Sequence, residues 1–158
     1  GGLSVPKIGA SPFGYRLAEQ FGLAVVPPRP GLVPLAFDTT ELARFGDLSG
    51  VSLEAIVSAD GPRFRENLLF THRGLSGPAI LQASSYWQPG QPLHVNLLPD
   101  HDAHALLAAA RQSRVTPASV LAEVLPKRFA QQWTEAMGAT RFLAELPEKT
   151  VRALAEGL

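Results

Sequence analysis

The spacing of apolar positions changes character near residue 100 of this chain. Before that point the period is two. Val51, Leu53, Ala55 and Val57 would line one face of a strand over Val51–Ser58, because successive strand side chains point to opposite faces. Asp60-Gly61 then favours a tight turn, and Phe64–Phe70 returns as the hairpin partner. Leu93, Val95 and Leu97 repeat the alternation after Pro89-Gly90. Val33, Leu35 and Phe37 show it earlier, with Pro34 pushing that strand to a sheet edge. Short strands punctuated in this way predict a small barrel or sandwich. Upstream, Pro12–Phe21 reads as a helix with Ser11 as cap and Gly22 as stop, and Ala24–Gly31 as an extended linker with three prolines.

From Pro99-Asp100 onward the period is helical. Asp102–Gln112 is rich in alanine and leucine. Thr116-Pro117 starts a second helix, with Val120, Leu121, Val124 and Leu125 on one face. Pro126 opens a third, which carries Phe129, Trp133 and Met137 at successive turns, and Pro147 opens the last. Proline recurs at helix starts because its fixed φ suits the first turn and its missing N–H costs nothing there. The fold class that follows is α+β: a small antiparallel β-barrel with an α-helical subdomain appended.

One run carries more chemistry than the rest, NLLFTHRGLSGPAILQASSYW over residues 67–87. An apolar strand, Leu68–Phe70, enters a turn of Thr71, His72, Arg73 and Gly74; Ser76, Gly77 and Pro78 then open a helix. Ser76 suits an N-cap. Such a junction aims free N–H groups and a positive dipole end at one spot, which can hold a phosphate or carboxylate. A tight strand–helix connection with no ligand explains the same residues. Tyr86-Trp87 ends the helix and would wall a cleft or cap the barrel.

Composition narrows the function classes. The chain has 158 residues, 46% hydrophobic and 18% charged, with a formal net charge of zero. Zero charge argues against a nucleic-acid partner, which favours a basic excess, and against an anionic membrane surface. No apolar run is long enough to span a bilayer. Cysteine is absent, which removes disulfides, thiolate catalysis and cysteine metal sites and fits a cytoplasmic location. His101 and His104 have the spacing of a metal pair but no third ligand, so no metal site is expected. Phosphate-loop, dinucleotide and nucleophile-elbow motifs are absent, and Ser76 with His72 lacks an orienting third group for hydrolysis. The only methionine is Met137 and the chain begins Gly1-Gly2, which suggests a piece of a larger protein.

Three stretches resemble the YhiN/BaiN-like FAD-dependent oxidoreductases, some of them known as aminoacetone oxidases. They are GGLSVPKIGASPFGYRLAEQFG followed by PPRPGLVPL, then LLFTHRGLSGPAILQASSYW, then HVNLLPD. In that family a split Rossmann-like FAD domain is interrupted by a large insert that combines a β-barrel with helices. The resemblance implies that residues 1–31 are a remnant of the FAD domain, 32–100 the barrel and 101–158 the helical subdomain. It places Gly1, Gly2, Ser4 and Pro6 near the flavin, and makes Thr71, His72, Gly74, Ser76 and Gly77 candidates to face the cleft. The chain departs from the family at Ser11-Pro12-Phe13-Gly14-Tyr15 and at Leu23.

The expected function is therefore the substrate-side insert of a FAD-dependent, NAD(P)H-linked oxidoreductase. Its partners would be the rest of its own flavoprotein chain and a small-molecule substrate of unknown identity. The fragment would be inactive alone and prone to self-association. The alternative is a non-catalytic binding module for a protein or RNA partner.

Overall fold

In the computed structural model residues 3–158 are described. The chain divides into two compact units, Gly1–Gly31 and Leu32–Leu158. In chain order the larger unit contains β1 (Leu35–Ala36), a helix at Thr39–Phe45, β2 (Ser52–Ser58), β3 (Arg63–Thr71), β4 (Gly74–Ser76), a helix at Pro78–Ser84, β5 (His94–Asn96), and four more helices. Numbered from the helix of the smaller unit, the helices are α1 (Phe13–Gln20), α2 (Thr39–Phe45), α3 (Pro78–Ser84), α4 (Ala103–Ala109), α5 (Pro117–Leu121), α6 (Lys127–Ala136) and α7 (Glu148–Glu156).

The strands form one antiparallel sheet in the order β1-β4-β3-β2-β5. It is a half-barrel, with the two-residue β1 and the three-residue β5 at its edges. The β2–β3 hairpin is its spine, paired from Ser52↔Leu69 to Ser58↔Arg63. The alternation read from the sequence holds here: Leu53, Ala55 and Val57 are buried and Ser52 and Glu54 exposed. Asp60, in the turn, takes a positive φ of 35°.

The sheet's inner face meets α3 and the C-terminal helices in one hydrophobic core. Phe70 of β3 lies 5.8 Å from the Phe129 ring of α6, and Phe129 lies 5.9 Å from Trp133. Phe129 is fully buried, and the Trp133 indole N–H donates to the Leu154 carbonyl at 3.1 Å. Burial of each such side chain is worth about 1.5–3 kcal/mol, so α6 holds both the sheet and α7. The Leu97 N–H donates to the Leu158 carbonyl at 2.7 Å, tying the end of the chain to the exit of β5.

Local signals place most helices. The carboxylate of Asp102 caps α4 and the Thr116 hydroxyl caps α5, each accepting the backbone N–H three residues on. Pro126 and Pro147 stand at the N-caps of α6 and α7, one position before the expected first turn. Two expectations need correction. Ser11 does not cap α1; Pro12 is its N-cap and no side chain bonds there. Helix α2 was not expected, although Asp38 and Glu41 form a full capping box at its start. No helix among the described residues is long and apolar enough to cross a membrane.

In the smaller unit a 3-10 turn at Pro6–Ile8 precedes α1, and neither has a buried residue. Phe13, Leu17 and Phe21 recur every fourth residue and are exposed.

Candidate functional site

The Thr71–Gly74 turn is a two-residue hairpin loop. Thr71 pairs with Gly74 across it, and His72 and Arg73 form the exposed tip. Thr71 stiffens the loop: its Oγ1 accepts the N–H of Gly74 at 3.1 Å and of Arg73 at 3.3 Å, and its hydroxyl donates to the Gly74 carbonyl at 3.0 Å. The Arg73 carbonyl accepts the Phe37 N–H at 3.0 Å, so β1 is stitched to the turn.

The two glycines of this run serve close packing. Gly74 has φ +153°, and a Cβ there would lie 2.1 Å from the Leu35 carbonyl oxygen. Gly77 has φ +91°, and its Cβ would lie 2.6 Å from the Asn67 carbonyl oxygen. No side chain fits either place, so β1 and α3 approach the sheet only because hydrogen stands there.

The helix start also differs from expectation. Ser76 ends β4, pairing with Leu69, and Gly77 is the N-cap of α3 with no side-chain cap bond. The Leu81 N–H bonds the Gly77 carbonyl at 2.9 Å, and Ala79 and Ile80 are fully buried. The seven-residue α3 thus begins against the sheet, which leaves no open cradle for an anion. No hydrogen bond joins Ser76 to His72 among the described residues. The hydrolase reading has no geometry behind it.

The remaining candidates are spread out. Gly1 and Gly2 lie outside the described residues. Ser4 is exposed and Pro6 opens the 3-10 turn. Tyr86 packs its ring 5.7 Å from Phe64, and the Trp87 indole N–H donates to the Gln91 carbonyl at 2.8 Å; both serve local packing. Nε2 of His104 lies 3.4 Å from Glu148, beside an open depression between α4 and α7 lined by Asp102, Arg152 and Glu156. No group of three potential metal ligands gathers among the described residues.

On the outer face of the sheet Arg65 bridges Glu54 and Asp100. Hydrogen bonds that the guanidinium donates to Glu54 first and Asp100 second raise its pKa above the ordinary value. A raised arginine pKa keeps the cation intact at every lower pH and releases it only as pH climbs through that value. The bridge is therefore insensitive to pH through neutrality.

Sequence reasoning passed over Arg44, Lys127 and Arg128, none of which forms an ion pair among the described residues. The visible signal was the pairing of Lys127 with Arg128 directly after a helix-opening proline, where acidic residues are favoured.

Residues 29–158 match the family described as HI0933-like protein barrel and H2TH domain. The chain is 46% identical over 157 residues to a protein of Escherichia coli named ribosomal RNA dihydrouridine synthase, covering 98% of this chain and 38% of that protein. It is 46% identical over 138 residues to a Haemophilus influenzae protein of the same name, covering 85% of this chain and 34% of the relative. The chain thus spans little more than a third of the length of these relatives. Their name includes ribosomal RNA, so the expectation of no nucleic-acid partner draws no support from them. Zero net charge is a sum over the chain, and binding depends on where charges cluster.

Proposed function

This chain belongs to the family of HI0933-like protein barrel and H2TH domains, within a wider family of flavoproteins, and we propose that it is the RNA-facing domain of a longer enzyme that reduces uridine in ribosomal RNA. The observation that carries the proposal is the 46% identity, over nearly the whole chain, to a ribosomal RNA dihydrouridine synthase. Forming dihydrouridine adds two hydrogens across a ring double bond. No described residue of this chain stands ready to deliver them. Its share is to bind and position the substrate.

The described residues do not make a flavin cradle by themselves. The space beside Gly74 and Gly77 is filled by the backbone of β1 and β3, and Ser4 and Pro6 are exposed. FAD, and an NAD(P)H reductant, belong in this proposal to the longer chain. Residues 1–31 fit a role as part of its FAD domain: residues 1–28 fall outside the family match, and the apolar stripe of α1 is unburied. The small-molecule substrate of the earlier expectation is replaced by a uracil base within RNA.

Deletion and complementation test this reading. Ribosomal RNA from a strain lacking the full-length gene, digested to nucleosides and measured by mass spectrometry, should lose dihydrouridine. The full-length gene should restore it, and a version lacking residues 32–158 should not. The full-length protein should show a bound-flavin absorbance spectrum. Unchanged dihydrouridine in the deletion strain would overturn the proposal.

A further inference from the structure

Four cations stand on the elements that flank a single loop, Gly46–Val51: Arg44 on α2, Arg73 at the tip of the β3–β4 hairpin, and Lys127 and Arg128 in the first turn of α6. Arg44 closes α2 just before it. Its guanidinium lies 4.9 Å from the Phe45 ring centroid and 5.1 Å from that of Trp133. Nη2 is 3.3 Å from the Met137 sulfur, and Nε is buried with no hydrogen-bond partner. No carboxylate pairs with Arg44 among the described residues. Aromatic faces orient a guanidinium and leave its hydrogen-bonding capacity unsatisfied. An unpaired, partly buried cation of this kind gains most from an external anion.

Arg128, in the first turn of α6, donates through Nη2 to the carbonyls of Asp47 and Ser49, the latter at 3.0 Å. Lys127 stands exposed beside it. One turn further along, Gln132 donates to the Arg44 carbonyl at 3.0 Å and closes the seam between α2 and α6. The first turn of α6 holds two cations, no acid and no side-chain cap. Local stability favours the opposite sign at a helix start, so the helix dipole does not account for the pair.

The β3–β4 hairpin reaches the same loop through its stem. The Gly50 N–H donates to the Phe70 carbonyl and the Phe70 N–H to the Val51 carbonyl, both at 2.9 Å. Two and three residues beyond Phe70 come the exposed His72 and Arg73. The loop itself carries one carboxylate, Asp47. Asp38 and Glu41 are committed to the capping box at the other end of α2. Arg65, Arg111 and Arg141, by contrast, are all held by carboxylates.

We propose that Arg44, Arg73, Lys127 and Arg128 form a docking surface for the phosphodiester backbone of RNA. The assignment rests on the RNA-modifying reading above and specifies where the RNA lies. Contacts to phosphates fix position and register without reading sequence. A chain of zero net charge can bind in this way, because at physiological salt a phosphate responds to charges within about 8 Å and little to the total. The hairpin singled out by its sequence thus acts through the charge at its tip.

The test uses the full-length protein and ribosomal RNA transcribed in vitro. Arg73→Gln with Lys127→Gln removes two exposed cations of the surface; Arg63→Gln with Lys149→Gln removes two exposed cations elsewhere that form no ion pair among the described residues, and is the matched control. The surface pair should weaken RNA binding about tenfold at low salt. It should also flatten the plot of log affinity against log salt by about 0.7 per cation for single-stranded RNA. KM for RNA should rise with kcat kept, and the control should stay within about twofold of wild type. Arg44→Gln should weaken binding in the same sense; because Arg44 also packs on Trp133, the exposed pair decides if that variant fails to fold. If surface pair and control behave alike while wild type binds and modifies RNA, the surface is wrong and the enzyme reading stands. If the surface pair keeps RNA affinity but loses flavin or thermal stability, the cations dock an acidic part of their own longer chain and the RNA assignment is overturned. A wild type that neither binds nor modifies ribosomal RNA overturns both.

Discussion

Gly74 and Gly77 illustrate how one residue can be read correctly as special and wrongly as to why. Glycine in a turn beside a serine suggested an anion cradle. The space a side chain would fill is taken by Leu35 at Gly74 and by Asn67 at Gly77. Gly74→Ala should therefore destabilise the protein by about 3 kcal/mol or more, from combined clash and backbone strain. Gly90→Ala, also at positive φ but with open space around it, should cost only about 1–2 kcal/mol. Urea unfolding of both variants checks this, and equal costs would show that strain alone matters. The close approach of β1 to Gly74 was not legible in the sequence, because Leu35 lies 39 residues away along the chain.

Among the elements, capping chemistry distinguishes what local sequence can and cannot say. Asp102 and Thr116 were recognisable as helix starts, and they are. Asp38 and Glu41 were equally recognisable in principle, since their spacing of three is the capping-box signature, yet the seven-residue α2 has too short an apolar pattern to draw notice. Asp38→Ala should cost about 1 kcal/mol in thermal or urea unfolding. Ser76→Ala should cost less than about 0.5 kcal/mol, because Ser76 is a strand residue and Gly77 holds the cap position. A Ser76 variant as costly as the Asp38 variant would restore Ser76 as a capping residue. Strand β4 escaped notice because three residues show no period, and its existence depends on pairing with both β3 and β1.

In the larger unit the sheet and helices share one core, which carries a consequence for folding. Phe129 is fully buried and faces Phe70 across that core. Phe129→Ala should cost about 3–5 kcal/mol and shift a single cooperative transition of the fragment spanning residues 32–158. The fragment spanning 32–100 should stay unfolded by circular dichroism, since its inner sheet face would lose the cover of α6. Two separate transitions in the longer fragment would count against a shared core. The α+β class, the strand faces of β2 and the proline-led helices were all written in the order of residues, because period and capping are properties of neighbours. The open half-barrel, the close packing at Gly74 and Gly77 and the meeting of Arg44 and Arg128 beside one loop depend on segments up to 84 residues apart. Those distances are set by packing, and no window along the chain contains them.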